Sequence, residues 1–187
     1  MIFHPFLMHT WLELLISKMS AGTTWEKAGF FNEKVNIELA LNRLEIQLEA
    51  MATIFQQYSN EELVQIPAPG KWSRQQILGH LIDSAINNLK RFTEIPFLPQ
   101  PYKVISYRQN ELVEFNHYKD LPIVHLLELW KGLNQQVIYV VQKLTPLQLE
   151  YPVDPQYQDG EIKSLGWLIC DYVAHLEHHL RQITGNQ

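Results

Sequence analysis

The sequence predicts an all-α fold, a four-helix bundle preceded by one extra N-terminal helix, and three observations carry that expectation. Four long stretches place apolar residues at helical spacing, short Pro- and Gly-containing segments punctuate them, and no two segments alternate convincingly with the period of paired strands. At 187 residues, 46% of them apolar, the chain can bury one substantial core and gives little reason for two.

Residues 1–32 read as an N-terminal extension and residues 33–187 as the bundle domain. The apolar run from Ile2 to Ile16 is broken by His4, Pro5, His9 and Glu13, and it lacks the basic start and small-residue cleavage site of a signal peptide. It also falls short of the ~20 apolar residues that span a bilayer. The expectation is an amphipathic helix docked on the body, with initiation at Met19 as the alternative.

The first long helix runs from about Glu33 to Tyr58, where Val35, Ile37, Leu39, Leu41, Leu44, Ile46, Leu48, Met51 and Ile54 form an apolar stripe free of Gly and Pro. Ile66-Pro67-Ala68-Pro69-Gly70 has the chemistry of a turn. Ser73 stands three residues before Gln76, a capping-box pattern, so a second helix should start there and bury Ile77, Leu78, Leu81, Ile82, Ala85, Ile86 and Leu89. Pro96 and Pro99 end it. Residues 94–120 read as a long connection with a short helix at Gln109 to Phe115; connections of that length often shape a site. Asp120 as a cap and Pro122 in the first turn open a third helix carrying Val124, Leu127, Trp130, Leu133, Val137, Val140 and Val141. Thr145-Pro146 starts a further helical turn, and Tyr151 to Lys163 reads as extended. Ser164 caps the fourth helix, which Gly185 terminates.

Bulk chemistry narrows the functional classes. A net charge of −5 with no cluster of Lys and Arg disfavours a nucleic-acid binder. The single cysteine, Cys170, leaves no internal disulfide and no thiolate cluster, which fits a reducing, cytoplasmic compartment. Phosphate-loop and dinucleotide motifs are missing, and no Gly-x-Ser-x-Gly element supports serine catalysis.

The informative residues are histidines. His175 and His179 lie one turn apart and about 40° around the last helix, so both rings can reach one point beside it. Two imidazoles make a weak site, and a third ligand must come from elsewhere. Among the remaining histidines His80 alone sits within a core helix, flanked by Gly79, Leu81 and Ile82. Imidazole donors suit zinc or nickel, and three protein ligands leave a coordination position for water or substrate. Asp171, Gln182 and Asp83 fall where they can hold the outer ring nitrogens. Cys170 points away from the pair and reads as a small buried apolar residue.

Two stretches resemble a known family, the DinB-like or YfiT-like four-helix proteins. One is Pro69-Gly70-Lys71-Trp72-Ser73 leading to Gly79-His80-Leu81-Ile82-Asp83-Ser84, with Asn88 and Arg91-Phe92 beyond; the other is Asp171 to Ile183. The resemblance spans roughly residues 33–182. It implies up-down-down-up connectivity and a nickel- or zinc-type metal on His80, His175 and His179. It also implies metal-dependent transfer or isomerisation chemistry with a low-molecular-weight thiol such as bacillithiol or mycothiol, or hydrolysis. Tyr107-Arg108-Gln109 resembles a Tyr-x-Gln element of one subgroup.

The leading expectation is a thiol S-transferase-like enzyme acting on a small electrophile, with Trp72, Tyr107 and Gln109 shaping the pocket. Second comes a hydrolase in which Asp83 or His178 relays a proton. Third is a metal- or ligand-binding stress-response bundle without turnover, favoured if His117 supplied a fourth ligand. The partner expected is a small molecule, with neither nucleic acid nor membrane; the N-terminal extension is a candidate for contacts in a homodimer.

Overall fold

The computed structural model describes residues 35–156 and 160–185, so the expected N-terminal helix lies outside the described residues. Helix α1 (Ile37–Phe55) starts where the Asn36 side chain accepts from the Leu39 N–H at 2.9 Å. A Ser59–Glu62 capping box opens the short α2 (Asn60–Val64). The expected Ser73–Gln76 box opens α3 (Arg74–Glu94), with reciprocal contacts of 3.0 and 3.3 Å.

The connection after α3 holds β1 (Tyr102–Lys103), α4 (Gln109–Phe115) and a 3-10 turn at Tyr118–Asp120. Helix α5 (Ile123–Val141) follows, then α6 (Pro146–Leu149), β2 (Pro152–Asp154), β3 (Lys163–Ser164) and α7 (Leu165–Thr184). Ser164 caps α7 by accepting from the Trp167 N–H at 3.1 Å, and Gly185 ends it at φ 76°, a conformation that glycine adopts without strain. None of these helices is long and apolar enough to cross a membrane.

Contacts at the helix ends fix the topology. The starts of α1 and α7 adjoin, because a Cβ on Gly166 would stand 2.8 Å from Val35 Cγ1; their ends adjoin too, because Tyr58 Oη donates to the Ile183 carbonyl at 3.2 Å. Those two helices are parallel. Gln75, at the start of α3, donates to the carbonyls of Tyr118 (2.8 Å) and Leu121 (2.7 Å) just ahead of α5, which packs along α3. Arg74 reaches the Ile183 carbonyl at 3.0 Å, so the start of α3 meets the end of α7. The order is therefore up, down, down, up.

Three details differ from the sequence expectation. A small sheet exists: β1 pairs parallel with β2 (Tyr102 opposite Val153) and β2 antiparallel with β3 (Val153 opposite Lys163). Strands of two or three residues are too short to show a period of two. Pro122, not Asp120, occupies the cap position of α5, and Asp120 instead closes the 3-10 turn. The buried stripe of α5 is Leu126, Trp130, Asn134, Val137, Ile138 and Val141, rotated from the apolar-only stripe; Val124 is exposed. The polar member explains the rotation. Asn134 accepts from the Tyr172 hydroxyl of α7, so its burial leaves both polar groups satisfied. Val35, Leu39 and Ile46 of the expected first stripe are exposed, because the buried face of α1 runs through Ala40, Leu44, Gln47, Leu48 and Met51; on α3, Ile86 is exposed, while Asn88 and Phe92 are buried.

On the side of α7 that faces α1, Arg43 donates to both carboxylate oxygens of Glu177, and Gln47 adds a 3.0 Å bond to Oε1, tying α1 to α7. On α3, Gly79 admits the Tyr118 ring: a Cβ there would lie 2.2 Å from Cδ2 and 2.3 Å from Cγ. Overpacking of this kind costs about 1–3 kcal/mol. Gly79→Ala is expected to lower unfolding stability by about that amount in urea titration; an unchanged midpoint would contradict the close packing.

Candidate metal centre

Helix α3 brings His80, and α7 brings His175 and His179 from one face of adjacent turns. Because the start of α3 meets the end of α7, the three rings share one level of the bundle. Nε2 of His80 lies 3.3 Å from Nε2 of His175, which lies 3.1 Å from Nε2 of His179. Ring centroids are 4.6–5.2 Å apart and meet edge to face. Four ligands at a Zn–N distance of 2.0–2.1 Å in a tetrahedron are separated by about 3.3–3.4 Å, so these spacings suit the donor edge of a small divalent ion.

The outer nitrogens support that use. His179 Nδ1 faces Gln182 Oε1 at 2.9 Å, which makes Nδ1 the donor and leaves the Nε2 lone pair on the cluster. Gln182 then donates through Nε2 to His178 Nε2 at 2.9 Å. His80 is only 1% exposed, and burial first, then His179 and His175, pulls its pKa down to about 3. The same order of causes, burial and then His179 and His178, brings His175 to about 4. Three neutral imidazoles with lone pairs converging on one point are the donor set that zinc, nickel and similar ions require. These three histidines are the only such group among the described residues.

Trp72 sets its ring 4.9 Å from that of His80. It also lines a groove of about 590 Å³ with Lys71, Gln76 and His117. His117 is exposed at φ 53° and is not among the converging ligands. A second cavity, about 220 Å³, adjoins His175; Ser84, Asn88, Arg91, Tyr107, Trp167 and Asp171 are among its walls.

The other expected residues occupy distinct places. Tyr107 lines the cavity with Ser84; burial above all raises its pKa. Gln109 is exposed in the first turn of α4 and lines neither cavity. Asp83 is buried and accepts from Tyr118 Oη (2.7 Å) and Asn116 Nδ2 (3.0 Å) through Oδ1, so it holds the 3-10 turn against α3 and lies outside the lining of either cavity. His178 is exposed and touches the cluster through Gln182 and the His179 ring. Asp171 makes no hydrogen bond to His175 among the described contacts. It stands at the cavity instead, where surrounding protein raises its pKa.

Sequence reasoning gave no role to Arg91, Ser84 or Asn88. A signal was available: residues 80, 84, 88 and 91 fall within about 80° of one another around a helix, so one face of α3 carries a His ligand candidate and a polar row.

Comparison with known proteins agrees with the fold, and the names of relatives refer to metal dependence. Residues 43–183 match the family model for the DinB superfamily. A Halalkalibacterium halodurans protein named "putative metal-dependent hydrolase" is 30% identical over 122 residues, 65% of this chain and 69% of its own. YfiT of Bacillus subtilis, described as a probable metal-dependent hydrolase with an unusual four-helix bundle topology, superposes with a TM-score of 0.73 at 22% identity, covering 86% of this chain and 90% of its own. A mycothiol-dependent maleylpyruvate isomerase superposes at 0.55 with 16% identity, over 78% and 60%.

Two outcomes test the site. Gln182→Leu removes the partner of His179 Nδ1 and is expected to weaken metal affinity about 10–100-fold in a competition titration with a chromogenic chelator; unchanged affinity would remove Gln182 from the site. In metal-free protein, His80 and His175 stay neutral while unfolded imidazoles protonate near pH 6.5, so stability is expected to fall as pH drops below that value and to be unaffected by these groups above it. The raised carboxyls of Asp83 and Asp171 act with the opposite sign at lower pH, which makes pH 7.5 against pH 6 the informative comparison. Equal urea midpoints at those two values would contradict neutral burial.

Proposed function

This chain belongs to the DinB superfamily, and we propose on that premise that it is a divalent-metal-dependent enzyme of S-transferase type, joining a low-molecular-weight thiol to a small electrophile. The observation that carries the reading is the convergence of three Nε2 atoms beside a small cavity, with neither Asp83 nor His178 among its walls. A zinc or nickel ion held by three imidazoles acidifies a coordinated thiol or water at neutral pH and so supplies a nucleophile. A thiol acidified in this way needs no side-chain base during attack.

The chain's own groups do the rest. Gln182 fixes the His179 tautomer, and Trp72 covers the His80 ring. Tyr107, its pKa raised chiefly by burial, keeps its proton and can donate a hydrogen bond to negative charge developing on the electrophile. The exposed Gln109 has no part in the pocket. The partners in this reading are small molecules. A thiol-dependent isomerase sharing the fold is consistent with the reading, although that likeness speaks to fold.

A specific observation also favours hydrolysis: Asp171, although partly open to solvent, lines the cavity, and the protein around its carboxyl raises its pKa, so it can take a proton from an attacking water. The names of the relatives point the same way. Asp171, rather than Asp83 or His178, is the residue this alternative needs.

Assays of metal-loaded protein with bacillithiol, mycothiol, glutathione or coenzyme A and 1-chloro-2,4-dinitrobenzene separate the two. The proposal expects conjugation with at least one thiol, lost more than about 100-fold in His179→Ala and largely kept in Asp171→Asn. Hydrolysis of p-nitrophenyl acetate that needs both His179 and Asp171, without conjugation, would transfer the assignment to a hydrolase. Neither activity would leave a binding protein.

A further inference from the structure

The cavity beside His175 carries an unneutralised guanidinium. Arg91 donates through Nη2 to the Ile105 carbonyl at 2.8 Å and through Nη1 to Asn88 Oδ1 at 3.2 Å, and its charge lies 5.9 Å from the centre of the Tyr107 ring. Those partners orient the fork but supply no negative charge. Among the described residues no carboxylate is within ion-pair distance of Arg91, although the neighbouring Lys90 pairs with Glu94 on the outer face. A partly buried, oriented cation without a counter-ion is costly unless something negative visits it.

The rest of the cavity restricts the visitor. Its volume of about 220 Å³ is below the roughly 300–1,000 Å³ of drug-sized pockets, which suits a ligand the size of a small metabolite. Ser84 and Asn88 share the α3 face with Arg91, whereas Asp171 is contributed by α7. Repulsion from Asp171 confines a negative group to the Arg91 end. Planar carboxylate is the anion that a guanidinium fork matches with two parallel bonds.

We propose that this cavity binds a small molecule through its carboxylate, with Arg91 as the anchor and Asn88 and the Ile105 carbonyl as the residues that orient it. The inference rests on the enzymatic reading above, since it places the carboxylate of the substrate or thiol beside His175. It names the class of ligand that reading left open.

The experiment is calorimetric titration of the full-length, metal-loaded chain with succinate at constant ionic strength. Inorganic phosphate and succinamide serve as comparators, and metal content is measured on every sample. Saturable succinate binding is expected, with succinamide inert and phosphate at least about tenfold weaker. Arg91→Gln should lose at least about tenfold in affinity, and Arg91→Lys an intermediate amount, because the charge remains and the fork does not. Helical circular dichroism and melting establish that each variant is folded; if Arg91→Gln is not, Arg91→Lys decides. Succinate binding unchanged in the folded variants, phosphate binding as tightly as succinate, or no succinate binding to folded wild type would overturn the proposal. A chain that binds succinate through Arg91 but holds no metal would instead sink the enzymatic reading and leave the anchor standing.

Discussion

The antiparallel packing of α3 on α7 is the constraint on which the rest depends, because it alone puts an imidazole from residue 80 beside two from residues 175 and 179. Polar contacts fix the packing at the start of α3 and along the side of α7 that faces α1. Arg74 ties the start of α3 to the last turn of α7, and Gln75 ties it to the segment leading into α5. Glu177, on the side of α7 away from His175 and His179, is gripped by Arg43 and Gln47 of α1, which limits rotation of α7 about its axis. A rotation by one residue, about 100°, would carry both histidines off the shared point.

Polar burial near this point is uneven. His80 Nδ1 and Asp83 Oδ2 are buried without hydrogen-bond partners among the described residues, whereas the outer nitrogen of His179 is satisfied by Gln182. Unsatisfied polar atoms cost stability wherever they occur; among the described residues Gln47 Oε1 on α1 and Trp130 Nε1 on α5 are the others. The cavity shows the same departure from core chemistry, with a cation on one wall and a raised carboxyl on another. The Asn134–Tyr172 pair between α5 and α7 is by contrast mutually satisfied.

The long helices and the histidine triad were legible in the sequence because each rests on local periodicity or spacing. Capping boxes announced the start of α3, Ser164 announced α7, and Gly185 its end. The i, i+4 relation of His175 and His179 is a property of any helix; the addition of His80 needed the surrounding Gly79 and Leu81 to suggest burial. What escaped notice depends on tertiary contact. Asp83 looked like a proton relay from its position one turn after His80; that Tyr118 and Asn116, far along the chain, bond its Oδ1 was not legible. The three-stranded sheet pairs β1 with β2 across some fifty positions, and all three segments are too short to carry a pattern. Gln109 was drawn in by a motif, and its helix turns it to solvent.

The central claim is that the three imidazoles hold one divalent ion together. X-ray absorption at the metal edge, on full-length protein with its metal content determined, reads that directly. The account predicts one ion per chain with three nitrogen scatterers at about 2.0–2.1 Å, and loss of the imidazole shell together with most of the bound metal in His80→Ala. A full complement of metal in His80→Ala, with an unchanged spectrum, would contradict it.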